Sequence, residues 1–295
     1  MIVPSALIVG VDSTVGGWLW QNLGDQGWDV FGTSRRKASC EQDDNCFYLD
    51  LCALEPSKLP VDVDCIFLCA CMTNMAQCQA NIALSQQINV TAQIDLARYL
   101  TKKSAAKIIF FSSNAVFNGA IPFSKVDQKI SPINGYGEQK ANVEELLLAH
   151  IPEALILRLT KVLTPNNSLL KNWVKTLQDG RTIEPFYDLP VCPITMDYLC
   201  QCLLALLDKG ASGIMHISGA KDVSYDELAK SLADHLRLPR ALIRAKSAAE
   251  LAMYRDRSPG FTSLDMSRTY ALSGLNPLEI NQVIEHVSRK LLCSA

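Results

Sequence analysis

Apolar runs at "ALIVG", "WDVFGT", "CFYLD", "CIFLCA" and "KIIFFSS" recur through the first half of the chain. Between them, segments such as "GGWLWQNLGDQG" and "NVTAQIDLARYL" return their apolar positions at helical spacing. Strands alternating with helices imply a parallel sheet with helices on both faces. "ALILRLT" at 154–160 extends that series by one strand. After Leu163 the pattern changes: "LLKNWVKTLQDG" predicts a helix, "RTIEPF" a short strand and "MDYLCQCLLALLDKG" another helix. "GIMHISG" at 213–219 predicts a return to the main sheet, and the chain from 224 onward reads as helices with loops. The expected fold is α/β: a Rossmann-type doubly wound parallel sheet with a smaller, interleaved C-terminal substrate lobe. In residues, 1–163 form the dinucleotide-binding domain, 190–219 return to it, and 164–189 with 220–295 form the substrate lobe.

Composition narrows the function classes. The 295 residues are 48% hydrophobic and 20% charged, with a net charge of -2. That balance shows no basic excess, so nucleic acid is not an expected partner. Of the 11 cysteines, Cys65, Cys69 and Cys71 sit in or beside "CIFLCAC", where a small thiol packs as an apolar group. No CxxC pair occurs and the four histidines lie far apart, so no metal is expected. The opening "MIVPSALIVG" lacks a basic leader and runs into a glycine turn, as a buried strand does. No stretch approaches the roughly 20 apolar residues that cross a bilayer. The expectation is a cytoplasmic protein without a membrane partner. The oligomer is left open, with a homodimer as the candidate.

In "LIVGVDSTVGGWLWQNL", Gly10 and Gly16 flank a turn from strand to helix, where backbone amides and the helix dipole can receive a pyrophosphate. Ser13 stands where a GxxGxxG turn has its middle glycine and is expected to crowd the phosphate turn. The second strand ends "FGTSRRK", with no acid to hold a ribose 2′-hydroxyl and with Arg35 and Arg36 available for a 2′-phosphate. NADP, with NADPH preferred over NADH, is the cofactor this predicts. Solvated surface arginines are the alternative. Asp50, closing "CFYLD", either contacts adenine or ends its strand.

"SPINGYGEQKANVEELL" puts Tyr136 four residues before Lys140, on one helix face. An ammonium beside a phenol favours the phenolate, which suits acid–base work. "KIIFFSSNAVFNG" supplies Ser112 and Ser113 at the C-terminal end of a strand, where open α/β sheets bind ligands. Tyr99 and Lys103 share the spacing but precede that strand and lack such a partner; they read as a solvated helix end.

With "GVDSTVG", "YLDL", "INVTAQ", "FFSSNAVF", "YGEQK" and "LRLTKV" in this order, the chain resembles the extended short-chain dehydrogenase/reductases. Within them it looks most like the dTDP-4-dehydrorhamnose reductase branch, through "VFNG", "DLPVCPITMDYL" and "RSPGFTSLD". The resemblance implies an NAD(P)-dependent oxidoreductase that reduces a keto group on a nucleotide-diphosphate sugar. It makes Ser113, Tyr136 and Lys140 the catalytic triad, with Lys140 also holding the cofactor ribose and depressing the tyrosine pKa, and with Asn89 positioning the lysine through water. It places Thr14, Val15, Ser34, Leu51, Cys69, Ala70, Cys71 and Val162 beside the cofactor with the residues named above. Asn114, Ala115, Arg181, Arg255 and Arg257 are the expected substrate contacts. Family dehydratases carry Asp-Glu after the catalytic hydroxyl residue, and the epimerase-reductases that make GDP-fucose carry a cysteine nearby. Here Asn114 and Ala115 follow Ser113, which leaves carbonyl reduction. A reductase of non-sugar carbonyls and a non-catalytic NADP-binding subunit are the other readings.

Overall fold

The computed structural model describes residues 3–251 and 258–292. The chain forms two compact units: Met1–Val116, Pro132–Arg158 and Ser212–Ile214 make the first, and Phe117–Ser131, Leu159–Ala211 and Met215–Ala295 the second.

The first unit runs β1 (Ser5–Val9), α1 (Thr14–Asp25), β2 (Asp29–Ser34), α2 (Lys37–Cys40), β3 (Cys46–Tyr48), β4 (Cys65–Leu68), α3 (Met75–Ala80), α4 (Ile82–Gln86), α5 (Ala92–Thr101), β5 (Lys107–Ser113), α6 (Gly135–His150) and β6 (Leu155–Leu159). The remaining elements are β7 (Lys161–Leu163), α7 (Ser168–Gln178), β8 (Pro190–Val191), β9 (Pro193–Thr195), α8 (Met196–Asp208), β10 (Gly213–Ile217), β11 (Val223–Ser224), α9 (Tyr225–Leu236), α10 (Ser267–Ser273) and α11 (Ile280–Leu292).

Among the described residues the main sheet has seven strands in the order β10-β6-β5-β4-β1-β2-β3. β1 pairs in parallel with both β2 and β4, so the chain leaves the centre of the sheet in one direction and later resumes on the other side. That reversal opens a crevice beyond the C-terminal ends of β1 and β4, where ligands of doubly wound sheets bind. Both sheet faces are buried. Leu7, Val9, Ile66, Leu68, Ile108 and Phe110 pack with Leu96 and Leu100 of α5 and Val143 and Leu147 of α6. On the alternate positions Ala6, Ile8, Phe67 and Ile109 are fully covered as well. Near-continuous apolar runs are the sequence form of such strands.

The second unit has its own core, in which Leu170, Trp173 and Leu177 of α7 meet Leu228 and Leu232 of α9 and Val283 and Val287 of α11. β7 pairs with β9 and β11 with β8 as two short ladders. Ser224 and Glu227 form a reciprocal cap that starts α9. "RTIEPF" does not form the expected strand: Ile183 and Phe186 make single bridges, to Ile243 and Lys246. No helix among the described residues is long and apolar enough to cross a membrane.

Candidate functional site

The turn after β1 is built by close packing. Gly10 has φ +95°, and a Cβ there would lie 2.7 Å from the Ala70 Cβ; one on Gly16 would lie 2.2 Å from the Gly10 carbonyl oxygen. Both positions require glycine for lack of room. The Ser13 hydroxyl donates to the Gly10 carbonyl (2.9 Å) and accepts the Gly16 N–H (3.0 Å), capping α1. The serine is thus folded into the turn, and the helix N-terminus behind it offers amides and a positive dipole end to an anion.

A cavity of about 250 Å³ opens beside this turn. Of the expected cofactor residues, Gly10, Ser13, Ser34, Arg35, Arg36, Asp50, Leu51, Ala70 and Cys71 line it. Thr14, Val15 and Gly16 form the first turn of α1, outside the lining. Cys69, just past β4, also lies outside it, and burial pushes its thiol well above the usual range. Asp50 Oδ1 accepts the Cys52 N–H at 2.9 Å, closing the turn after β3.

At the other end of the crevice, β5 finishes on Ser113, whose hydroxyl oxygen accepts the Ala115 N–H at 3.1 Å. α6 starts 22 residues later in sequence but packs back on this strand end: a Cβ on Gly137 would sit 2.1 Å from the Ala115 carbonyl oxygen, so the first helical turn lies directly on the segment leaving β5. Asn134 caps that turn through the Gly137 N–H at 2.9 Å. Tyr136 is therefore fixed beside the Ser113 strand end. One turn on, the Lys140 ammonium stands 5.8 Å from the Tyr136 ring centre and 4.4 Å from that of Phe110, and donates to the Phe111 carbonyl at 2.7 Å.

Burial lifts the Tyr136 phenol above its ordinary pKa, and Lys140 pulls against that lift without overcoming it. The lysine acts in the expected direction, and desolvation acts against it as the larger effect. For Lys140, burial works toward a lower pKa but is outweighed by Cys71, Tyr136 and Glu144, which hold it above the usual lysine range. Asn89 sits in a wide π-type turn, Gln87–Thr91. Its Oδ1 accepts the Met72 N–H (2.8 Å), and its Nδ2 donates to the Met72 carbonyl (3.0 Å) and to Gln139 Oε1 (2.8 Å). It thereby ties the exit of β4 to α6, next to Lys140. Tyr99 and Lys103 make an exposed 2.8 Å contact with each other instead.

Val162, expected beside the cofactor, lies in β7 of the second unit and is not among the residues lining the cavity. Arg181 is an exposed partner of Asp179 at 2.8 Å, in the same unit. Arg255 and Arg257 lie outside the described residues.

The family model for the RmlD substrate binding domain matches residues 5–293. The chain belongs to the RmlD family. It is thereby one of the extended short-chain dehydrogenase/reductases. A dTDP-4-dehydrorhamnose reductase of Mycobacterium tuberculosis is 28% identical over 227 residues, 73% of this chain and 72% of that protein. The methionine adenosyltransferase 2 subunit beta of Xenopus laevis is 26% identical over 255 residues, 82% of this chain and 75% of that one. The dTDP-4-dehydrorhamnose reductase of Bacillus anthracis, solved in complex with NADP, superposes with a TM-score of 0.83 at 19% identity and 100% coverage of both chains, a likeness of fold.

Two groups in this RmlD-family chain escape a reading of motifs. Glu144, one turn after Lys140, takes a bidentate ion pair from Arg158 of β6, with a closest approach of 2.7 Å and both side chains 1% exposed. Ser112 donates to the same carboxylate at 2.5 Å, which points it away from Ser113's role. The signal was an arginine inside the apolar run "ALILRLT", since a buried charge requires a partner. Asp12 lines the cavity beside the glycine turn, accepting the Ser34 hydroxyl at 2.6 Å and standing 3.7 Å from Arg36.

Proposed function

We propose that this protein reduces a keto group on a nucleotide-diphosphate sugar, as its dTDP-4-dehydrorhamnose reductase relative is named for doing, with NADPH preferred over NADH. One observation carries the reading: Tyr136 and Lys140 are held together on successive turns at the start of α6, against the strand end bearing Ser113, in the same unit as a glycine-walled cavity. The spaces denied to a Cβ at Gly10 and Gly16 fit a pyrophosphate against backbone, and Arg35 and Arg36 fit a 2′-phosphate. Asp50, Leu51, Ala70 and Cys71 would border the adenosine. When bound, the reduced nicotinamide supplies the hydride.

Tyr136, a phenol whose protonated form burial further favours, gives its proton to the carbonyl oxygen. Ser113 donates a hydrogen bond that orients that oxygen. Lys140 keeps a positive charge beside the phenol as it loses its proton, and Asn89 positions the lysine. Asn114 and Ala115 supply no acid for dehydration, which fits simple reduction. Substrate recognition is assigned to 164–189 and 220–295, with Asn114, Ala115, Arg181, Arg255 and Arg257 as contacts, while Val162 is kept as a cofactor neighbour. Thiols packed as core groups, Cys65, Cys78, Cys192 and Cys202 among them, suit the cytoplasm.

A second reading, a non-catalytic NADP-binding subunit, is favoured by the relative named as a subunit of methionine adenosyltransferase. A panel of keto-sugar nucleotides and simple carbonyls, assayed by NADPH oxidation, separates the readings. Turnover of keto-sugar nucleotides, lowered about 10²–10⁴-fold by Tyr136→Phe, is the expected result. Turnover of simple carbonyls alone favours a non-sugar reductase. Tight NADPH binding with no turnover favours the subunit.

A further inference from the structure

The end of β2 carries no acid of its own, yet an acid reaches it from the glycine turn. Asp12 Oδ2 accepts the Ser34 hydroxyl proton at 2.6 Å, while the Ser34 oxygen accepts the Arg36 N–H at 2.9 Å. A hydroxyl has one proton to give, so Ser34 has none left for a phosphate while Asp12 holds it. Asp12 Oδ1 also stands 3.7 Å from an Arg36 guanidinium that is 72% exposed. All three residues line the cavity together with Arg35. A carboxylate here accepts from a ribose hydroxyl and repels a phosphate, the discrimination that an acid at a second-strand end performs in dinucleotide sites. In this chain the acid comes from a residue 22 positions earlier in sequence.

We propose that Asp12 sets the cofactor choice: it accepts from a free ribose 2′-hydroxyl, competes with a 2′-phosphate for Ser34 and Arg36, and narrows the margin by which Arg35 and Arg36 favour NADPH. This rests on the cofactor reading above. The test is binding, followed by quenching of protein fluorescence with NADPH and NADH, in the wild type, Asp12→Asn and Asp12→Ala. The ratio of the two dissociation constants is expected to move toward NADPH by about tenfold in both variants, as a charged hydrogen bond and a repulsion are removed together. Arg36→Ala is expected to weaken NADPH binding more in the Asp12→Asn background than in the wild type, because Arg36 then serves only the phosphate. Unchanged melting temperatures exclude a damaged turn as the cause. A ratio that stays put in both Asp12 variants while both cofactors bind overturns the inference and leaves the cofactor reading standing. Absence of binding by either dinucleotide to the wild type overturns both.

Discussion

The two polar centres of the first unit treat charge in opposite ways. Around Asp12 the partners are wet: Arg36 is 72% exposed and its carboxylate neighbour 28%. Around Lys140 and Glu144 they are dry, with Arg158 and Glu144 at 1%. Exposed pairs contribute about 0–1 kcal/mol because water competes and side chains pay in freedom. A buried pair adds little net stability over an apolar one, but removing one partner strands a charge in a medium that cannot solvate it. The wet centre can therefore select among ligands without bearing on the fold. The dry one holds α6 against β5 and β6, and so fixes where Tyr136 stands.

The largest effect that tests this contrast is Glu144→Ala, expected to destabilise the protein by about 3–5 kcal/mol in chemical denaturation. Restoring an apolar pair with Glu144→Met and Arg158→Leu should recover most of that loss. A single variant as stable as the wild type would break the distinction between the centres. Next comes the pH dependence of kcat/KM for carbonyl reduction, which reports the free enzyme's acid. Because burial raises the Tyr136 pKa, the profile should stay level through neutral pH and fall only above the ordinary tyrosine range, as the phenol ionises. Lys140→Met removes the cation that opposes the rise, so the alkaline limb should move further up; a limb below the ordinary tyrosine range would show that the cation dominates instead. Smallest is Arg36→Ala, expected to change stability by less than about 0.5 kcal/mol in thermal unfolding while altering NADPH binding.

The same contrast explains what the chain made legible. Parallel strands covered on both faces must be apolar throughout, so β1, β4 and β5 stand out as "ALIVG", "CIFLCA" and "KIIFFSS". The tyrosine–lysine pair is local to one helix turn, and its spacing alone placed both on one face. Asp12 was not legible, because its position opposite Ser34 depends on the register of β1 against β2. Nor was the fate of "RTIEPF": its bridges are to Ile243 and Lys246, about 60 residues away, and a run of proper composition becomes a strand only where a partner runs alongside it. The net rise of the Tyr136 pKa also lay beyond motif reading, since spacing names the cation but not the depth of burial.

The Glu144–Arg158 pair also bears on how a lineage carrying this fold can diverge. Either charge altered alone breaks a buried ion pair whose carboxylate lies one helical turn from Lys140 and is bonded by Ser112, the residue before Ser113. An apolar replacement of equal volume is open to the protein, but each single step toward it passes through a weakened chain with a loosened catalytic helix. Drift at these two positions is thus coupled: they change together or persist together. Asp12 and Arg36 face no such barrier, so cofactor preference is the property free to wander one substitution at a time.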